Sequence, residues 1–174
     1  FRSIETRAGA PSPEGGDPVG EVVLNGQPIK LRGVVYVEDS KLGGATLPYA
    51  QMRQDISTIR DMGVNVIRFV DGVPHPYLLQ LCDEFGLMAI VDVPIGSPPS
   101  SLFGDASYLK RASDRVRFTV EEASIHTSVI AFGLSAAIPG GSETALKAVQ
   151  AMRRIVDSLD HRLFYVSASD WSDP

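Results

Sequence analysis

Residues 76–93 read PYLLQLCDEFGLMAIVDV, and this stretch contains the decisive signal for the fold. Pro76 can open a helix, because a proline at the first helical position loses no intrahelical hydrogen bond. Gly86 can end that helix in the left-handed conformation. The run at 87–93 that follows is apolar with a single break at Asp92. A helix followed at once by a continuous apolar strand is typical of a parallel sheet covered by helices.

The same alternation continues on both sides of this stretch. Upstream, apolar residues at helical spacing in 49–62 precede a β-branched run at 64–70. Downstream, the pattern predicts helices at 107–123 and 142–159, the second with Ser142 as its N-cap. The remaining predicted strands are 31–37, 128–134 and 162–167. The chain therefore alternates strand and helix throughout and ends on a fifth strand.

Apolar side chains that recur every three or four residues predict which face of each helix is buried. On the helix at 107–123 this stripe consists of Leu109, Ala112, Val116 and Val120. On the helix at 142–159 it consists of Leu146, Val149, Met152 and Val156. Cys82 lies on the core face of the helix at 76–85, so we expect a buried structural thiol there.

A β-hairpin is predicted before the alternating region. Apolar runs flank Asn25-Gly26, and both positions of this dipeptide tolerate a positive φ, as a two-residue hairpin turn requires. Residues 8–20 are rich in Gly, Pro, Ser and Ala and predict a flexible loop. We therefore expect 1–20 to be an N-terminal strand remnant with a loop, and 21–174 to form one α/β domain.

The length of 174 residues bears on the choice between two α/β architectures. A complete (β/α)8 barrel needs about 250 residues, so a barrel would be partial. The alternation alone is equally consistent with a doubly wound sheet. Gly43-Gly44 and Gly140-Gly141 lack the residues of a phosphate-binding loop, which argues against a bound nucleotide. No cofactor is predicted.

Composition excludes several other classes of function. The chain has 16 basic and 21 acidic residues, interspersed, with a net charge of -5, which argues against a nucleic-acid partner. No apolar run approaches the roughly 20 residues needed to span a bilayer. A lone cysteine allows no intramolecular disulfide. The three histidines, His75, His126 and His161, lack the spacing of metal ligands, so no metal site is predicted.

Four segments in the right order resemble the catalytic TIM barrel domain of glycoside hydrolase family 2, the family of β-galactosidases, β-glucuronidases and β-mannosidases. They are residues 24–34, 62–68, 81–87 and 126–134. Residues 1–5 are similar to the strand with which the family leaves a preceding β-sandwich domain. The resemblance implies a (β/α)8 TIM-barrel-type fold. Of that barrel we expect this chain to hold about the first five β/α units, preceded by the short hairpin.

The resemblance also implies where catalytic groups belong. The family performs retaining hydrolysis with two carboxylates, and its acid/base glutamate ends strand four in a Gly-Asn-Glu sequence. Here the matching residues are Ser135-Ala136-Ala137. The nucleophile belongs on strand seven, which the sequence is not expected to reach. We therefore predict no catalytic residues in this chain, and Ala136 and Ala137 are degenerate catalytic positions.

Other strand ends have also lost the polar residues of the family, with Val35, Val37, Val70 and Val91 in their place. Five polar side chains remain at family-equivalent cleft positions and are the predicted substrate-binding residues: Tyr36, Glu38, Arg68, Asp71 and Asp92. Arg68 has a second interpretation, as a structural arginine that ties strands together, with Asp71 or Asp92 as its partner. Glu38 is expected in a solvated or ion-paired site.

Three functions remain open from the sequence. The first is a degenerate barrel module without hydrolase activity, with a structural or carbohydrate-binding role in a larger protein. The second is an active glycosidase completed by further segments or another chain. The third is a protein-interaction module, because the edges of a partial barrel are open and proteins normally cover such edges. We therefore expect the chain to form a homo-oligomer or to pack against another domain.

Overall fold

The computed structural model describes residues 3–7, 20–39, 46–70, 72–96, 98–139 and 142–169. The described residues form eight strands and four α-helices, and strands and helices alternate from Gly33 onward. A 3₁₀ helix at Ser100–Gly104 precedes the third α-helix. The strands are β1 Ile4–Arg7, β2 Glu21–Leu24, β3 Gln27–Ile29, β4 Gly33–Tyr36, β5 Val66–Phe69, β6 Met88–Val93, β7 Val129–Pro139 and β8 Leu163–Ser169. The helices are α1 Tyr49–Asp61, α2 Pro76–Phe85, α3 Ala106–Ala123 and α4 Glu143–Leu159.

The strands form two sheets. β1, β2 and β3 make a small antiparallel sheet, and β4 to β8 make a five-stranded parallel sheet in sequence order. A doubly wound sheet reverses its strand order at a switch point. An unbroken order, with a helix after each of the first four strands, is that of a (β/α) barrel. The structure therefore decides the question that the alternation left open, in favour of the partial barrel.

The predicted hairpin is confirmed. Asn25 has a φ of 50° and Gly26 a φ of 80°, as a type I′ turn requires. The Asn25 side chain also accepts a hydrogen bond from the Ser3 amide at 2.9 Å. β1 pairs with β2 from Ile4 opposite Leu24 onward, so the N-terminal strand joins the hairpin.

The helices begin and end where their capping residues predict. Ser142 caps α4 by accepting from the Ala145 amide at 3.3 Å. Gly86 ends α2 with a φ of 72°, and its N–H donates to the Cys82 carbonyl. Asp105 caps α3, which the sequence did not single out, by accepting from the Tyr108 amide at 2.6 Å.

One predicted helix face is partly wrong. Met152 and Val156 of α4 are buried as expected, but Leu146 is 41% exposed. Ala145 and Ala148 are buried in its place. Small side chains on this face allow α4 to approach its neighbours closely. The hydrophobic period alone cannot distinguish a buried face made of alanines from one that includes Leu146.

Two apolar layers cover the two faces of the parallel sheet. The outer layer lies against the helices and includes Ile67, Phe69 and Phe132. On the inner face, the first residues of β5 and β6, Val66 and Met88, pack with the small antiparallel sheet. Because the hairpin covers the amino ends of the strands, the inner face at their carboxyl ends holds the polar residues described below.

Cys82 lies on the buried face of α2, as the sequence predicts. Burial and, to a smaller extent, the charge of neighbouring Asp83 together raise the pKa of its thiol to about 12. A thiol with this pKa is almost entirely protonated at neutral pH and is not a nucleophile. None of the helices in the described residues is both long and apolar enough to cross a membrane.

Replacing Gly86 with alanine is expected to lower the free energy of unfolding by about 1 kcal/mol. A non-glycine residue in the left-handed conformation costs roughly 1–2 kcal/mol, offset in part by the smaller entropy of the unfolded chain. The matched control is Gly72→Ala, because Gly72 has no positive φ and its Cβ would meet open space. Urea unfolding measures both, and equal stabilities of the two variants would contradict the assignment of Gly86 as a conformational cap.

Candidate functional site

The carboxyl half of the inner face brings three polar side chains from three strands together. In the parallel register, Asp92 of β6 lies beside Gly133 of β7, and Gly133 lies beside Tyr165 of β8. Arg68 of β5 lies beside Ile90, two residues before Asp92 on the same face. We call Arg68, Asp92 and Tyr165 the inner-face triad.

Asp92 is at the centre of the inner-face triad and is completely buried. Its Oδ2 accepts from Arg68 Nε at 3.0 Å and from a terminal guanidinium nitrogen at 2.7 Å. Its Oδ1 accepts from the Tyr165 hydroxyl. Arg68 also lies over the Tyr165 ring, with 5.1 Å from the guanidinium carbon to the ring centroid. Both oxygens of the buried carboxylate are therefore satisfied by side chains of neighbouring strands.

The pKa shifts within the triad reinforce this arrangement. The hydrogen bond to Asp92 raises the pKa of Arg68. Burial raises the pKa of Tyr165, and its hydrogen bond to Asp92 raises it further. Arg68 therefore stays cationic and Tyr165 stays a protonated donor at neutral pH. Asp92 pairs with Arg68, in agreement with the interpretation of Arg68 as an arginine that ties strands together.

Gly133 makes room for the inner-face triad. A Cβ at this position would lie 2.7 Å from Asp92 Oδ1 and would overlap the Tyr165 ring. Neither Gly133 nor Tyr165 was singled out from the sequence. A glycine inside an apolar strand does indicate close approach of another group, so the signal for Gly133 was present. Tyr165 could be assigned only from the register between β7 and β8.

Two of the five predicted site residues lie apart from the triad. Tyr36 aligns with Phe69 in register and contacts its ring at a centroid distance of 5.7 Å, in the outer layer. Its hydroxyl donates to Asp55 of α1 at 2.8 Å, and burial together with this bond raises the pKa of Tyr36. Glu38 follows β4 and accepts from the His75 amide at 2.8 Å. Glu38 thus binds a backbone donor at the start of α2.

The remaining sequence-predicted positions lie in β7 and β4 or outside the described residues. Ala137 is in β7, beside Ser167 of β8, just after a shift in the register that follows Leu134. Ala136 precedes it within the same shift. Asp71 lies outside the described residues. Val35, which aligns with Arg68 on the inner face, is 60% exposed. Among the described residues, no group of three or more histidine, cysteine or acidic side chains could hold a metal ion.

Comparison with known proteins identifies the fold independently. The family model described as "Glycosyl hydrolases family 2, TIM barrel domain" matches residues 18–171. A beta-galactosidase of Enterobacter cloacae is 34% identical over 119 residues, which cover 66% of this chain and 12% of that protein. A second, "Beta-galactosidase 2" of the same organism, is 32% identical over 119 residues. The chain thus spans about an eighth of the length of these curated relatives.

Solved structures agree with the fold. A GH2 beta-galacturonidase of Eisenbergiella tayi, bound to galacturonate, superposes with a TM-score of 0.84 at 23% identity. The likeness covers 98% of this chain and 29% of that one. Beta-glucuronidase 3 of Bacteroides uniformis gives a TM-score of 0.78 at 26% identity, covering 95% of this chain and 21% of that one.

Replacing Gly133 with alanine is expected to lower the free energy of unfolding by about 1–3 kcal/mol, as overpacking of a filled interior does. The added methyl group would displace Tyr165 from Asp92. The control is Gly20→Ala, where a Cβ would make only an ordinary contact of 3.6 Å with the Arg7 carbonyl. In the double variant with Tyr165→Ala, the cost of Gly133→Ala should shrink. A cost that is unchanged in that background would contradict the steric explanation.

Proposed function

The chain belongs to the TIM barrel domain of glycosyl hydrolase family 2, and from this premise we propose that it is a degenerate segment of that domain. It has no hydrolase activity of its own and serves a structural role within a larger protein. The curated relatives are named as beta-galactosidases, so a β-glycoside is the class of ligand that the proposal concerns.

The observation that carries this proposal is the identity of residues 136 and 137. Barrel enzymes place their chemistry at the carboxyl ends of the strands, and this pair lies in the last four residues of β7, which ends at Pro139. The resemblance assigns Ala137 to the acid/base glutamate and Ala136 to the asparagine before it. Alanine cannot donate or accept a proton, and loss of a general acid/base typically removes 10²- to 10⁴-fold of rate.

The bonds of the other polar residues support a structural role. Asp92 uses both oxygens within the inner-face triad, Glu38 binds the His75 amide, and Tyr36 binds Asp55. A sugar would have to displace one of the bonds of Asp92 to reach that buried carboxylate. Arg68 is the exception, since its side chain is 32% exposed. Carbohydrate binding at this cleft would therefore depend on Arg68.

Neither the full-length protein nor its Ala137→Glu variant is expected to release nitrophenol from p-nitrophenyl β-galactoside or β-glucuronide above the buffer rate. Restoring one carboxylate should not suffice, because Val35 and Ala136 also lack the polar groups of the family. A beta-galactosidase of this family in the same assay is the positive control. Turnover by the unmodified protein that persists in Asp92→Asn would overturn the proposal, and so would activity created by Ala137→Glu alone.

The alternative is an active O-glycosyl hydrolase whose carboxylates come from other parts of the protein or from another chain. It is favoured by the 34% identity to a beta-galactosidase over most of this chain. A 2,4-dinitrophenyl β-glycoside distinguishes the degenerate segment from the active hydrolase, because dinitrophenolate leaves with little protonation. A burst of dinitrophenolate without turnover would indicate a nucleophile supplied from elsewhere, with the acid/base still missing. No release at all supports the degenerate segment.

We also propose that the inner face of the parallel sheet is covered by further polypeptide. β4 and β8 are the two edges of the five-stranded sheet, and exposed strand edges are sites of association. Val35 adds an exposed apolar side chain on the same face of edge strand β4. The occupant is either more of the same protein or a second copy of this chain.

The isolated 174-residue chain is therefore expected to self-associate in sedimentation velocity, and Val35→Glu should shift it toward the monomer. A charge on an apolar contact surface is costly to bury. The control is Ile125→Glu, since Ile125 is 79% exposed beyond the end of α3. A compact, well-folded monomer at all concentrations would contradict the expectation, as would an equal effect of both substitutions.

A further inference from the structure

A groove between α2 and α3 lies on the helix layer of the molecule, outside the strand ends considered above. It encloses a cavity of about 320 Å³, at the lower end of the range of small-molecule sites. Its apolar walls include Pro76 and Leu79 of α2 and Phe118 of α3. Phe118 is 51% exposed, an unusual position for a large aromatic side chain. Two polar residues, Glu122 and His126, complete that side of the groove.

His126 is held in a defined orientation. Its Nδ1 lies 2.7 Å from Asp83 Oδ2, and its side chain is only 12% exposed. Burial by itself would raise the pKa of Asp83, but hydrogen bonds from His126 and Ser128 lower it. Asp83 is thus an ionised acceptor, so Nδ1 of His126 carries the proton and donates it. In the neutral ring, Nε2 then has a lone pair and accepts hydrogen bonds.

The chemistry of the groove is therefore that of a cation acceptor. Glu122 supplies a carboxylate and Phe118 an aromatic ring, whose face attracts cations, and His126 adds a ring acceptor when it is neutral. His75 also lines the groove, and its Nδ1 accepts from the Tyr77 amide at 3.1 Å. In its neutral form His75 adds one ring N–H. That single donor would not compensate a ligand carboxylate for repulsion by Glu122 and Asp83.

We propose that this groove binds a small hydrophobic amine, with its apolar body against Phe118 and Leu79 and its ammonium group at Glu122. The site does not depend on the proposed function, because it shares no residue with the inner-face triad or with the end of β7. Its failure in an experiment would leave the assignment of Ala137 untouched, and the reverse also holds.

The test is an NMR titration of the full chain with three probes of similar size that differ in charge: benzylammonium, benzyl alcohol and benzoate at neutral pH. Saturable shifts in amides of α2 and α3 around Leu79, Phe118 and Ala123 are expected with benzylammonium. Binding of benzyl alcohol should be weaker, and benzoate should not bind. Glu122→Gln should weaken the binding of benzylammonium about three- to fivefold, the range of a partly exposed ion pair, and leave the affinity for benzyl alcohol unchanged.

Glu121→Gln is the matched control, since Glu121 is the adjacent exposed carboxylate on α3 and does not line the groove. Phe118→Ala should weaken the binding of both benzylammonium and benzyl alcohol. Circular dichroism verifies that each variant is folded. The proposal is overturned if benzyl alcohol or benzoate binds as well as the amine. It is also overturned if Glu121→Gln acts like Glu122→Gln, or if no saturable shifts occur in this groove.

Discussion

The carboxylate of Asp92 is completely buried, and a buried charge persists in a protein only when it is paired and hydrogen-bonded. This requirement organises the carboxyl half of the parallel sheet. Arg68 satisfies one oxygen from β5 and Tyr165 the other from β8, so one charge links three strands. Gly133 on the strand between them must lack a side chain, because a methyl group there would occupy the space of the bond.

The same constraint shapes what the site can do chemically. A general acid or nucleophile needs a proton or a lone pair that is available to a substrate. Both carboxylate oxygens of Asp92 accept hydrogen bonds from protein donors, and the methyl side chain of Ala137 can neither transfer a proton nor attack a substrate. The scaffold of the family is kept, with strands in sequence order and helices outside. In the proposed function, the differences from the family lie at the strand ends, where barrel proteins vary function independently of the fold.

The outer face of the parallel sheet packs against the helices, whereas the inner face at the strand ends holds the polar residues. Tyr36 illustrates this, because its position at the end of β4 suggested the cleft, whereas the pleat directs it to the outer layer beside Phe69. Val35, its neighbour, takes the inner face instead. A one-residue difference along a strand reverses the face, so a list of residues near a strand end cannot by itself identify those that line a cleft. The groove at Phe118 depends likewise on how two helices are spaced.

The secondary structure and the alternation of strand and helix could be predicted from the amino-acid sequence, because both follow from local signals. Gly86 ends α2, Ser142 begins α4 and Asn25-Gly26 turns the hairpin through backbone conformations that their residue types favour. The local signals left the strand order open; the family resemblance implied a barrel, and the parallel sheet in sequence order confirms it. The burial of Ala145 in place of Leu146 and the hydrogen bond between Asp92 and Tyr165 became visible only in the tertiary structure. These features depend on contacts between residues far apart in the chain, and such contacts leave no period or dipeptide in the sequence to signal them.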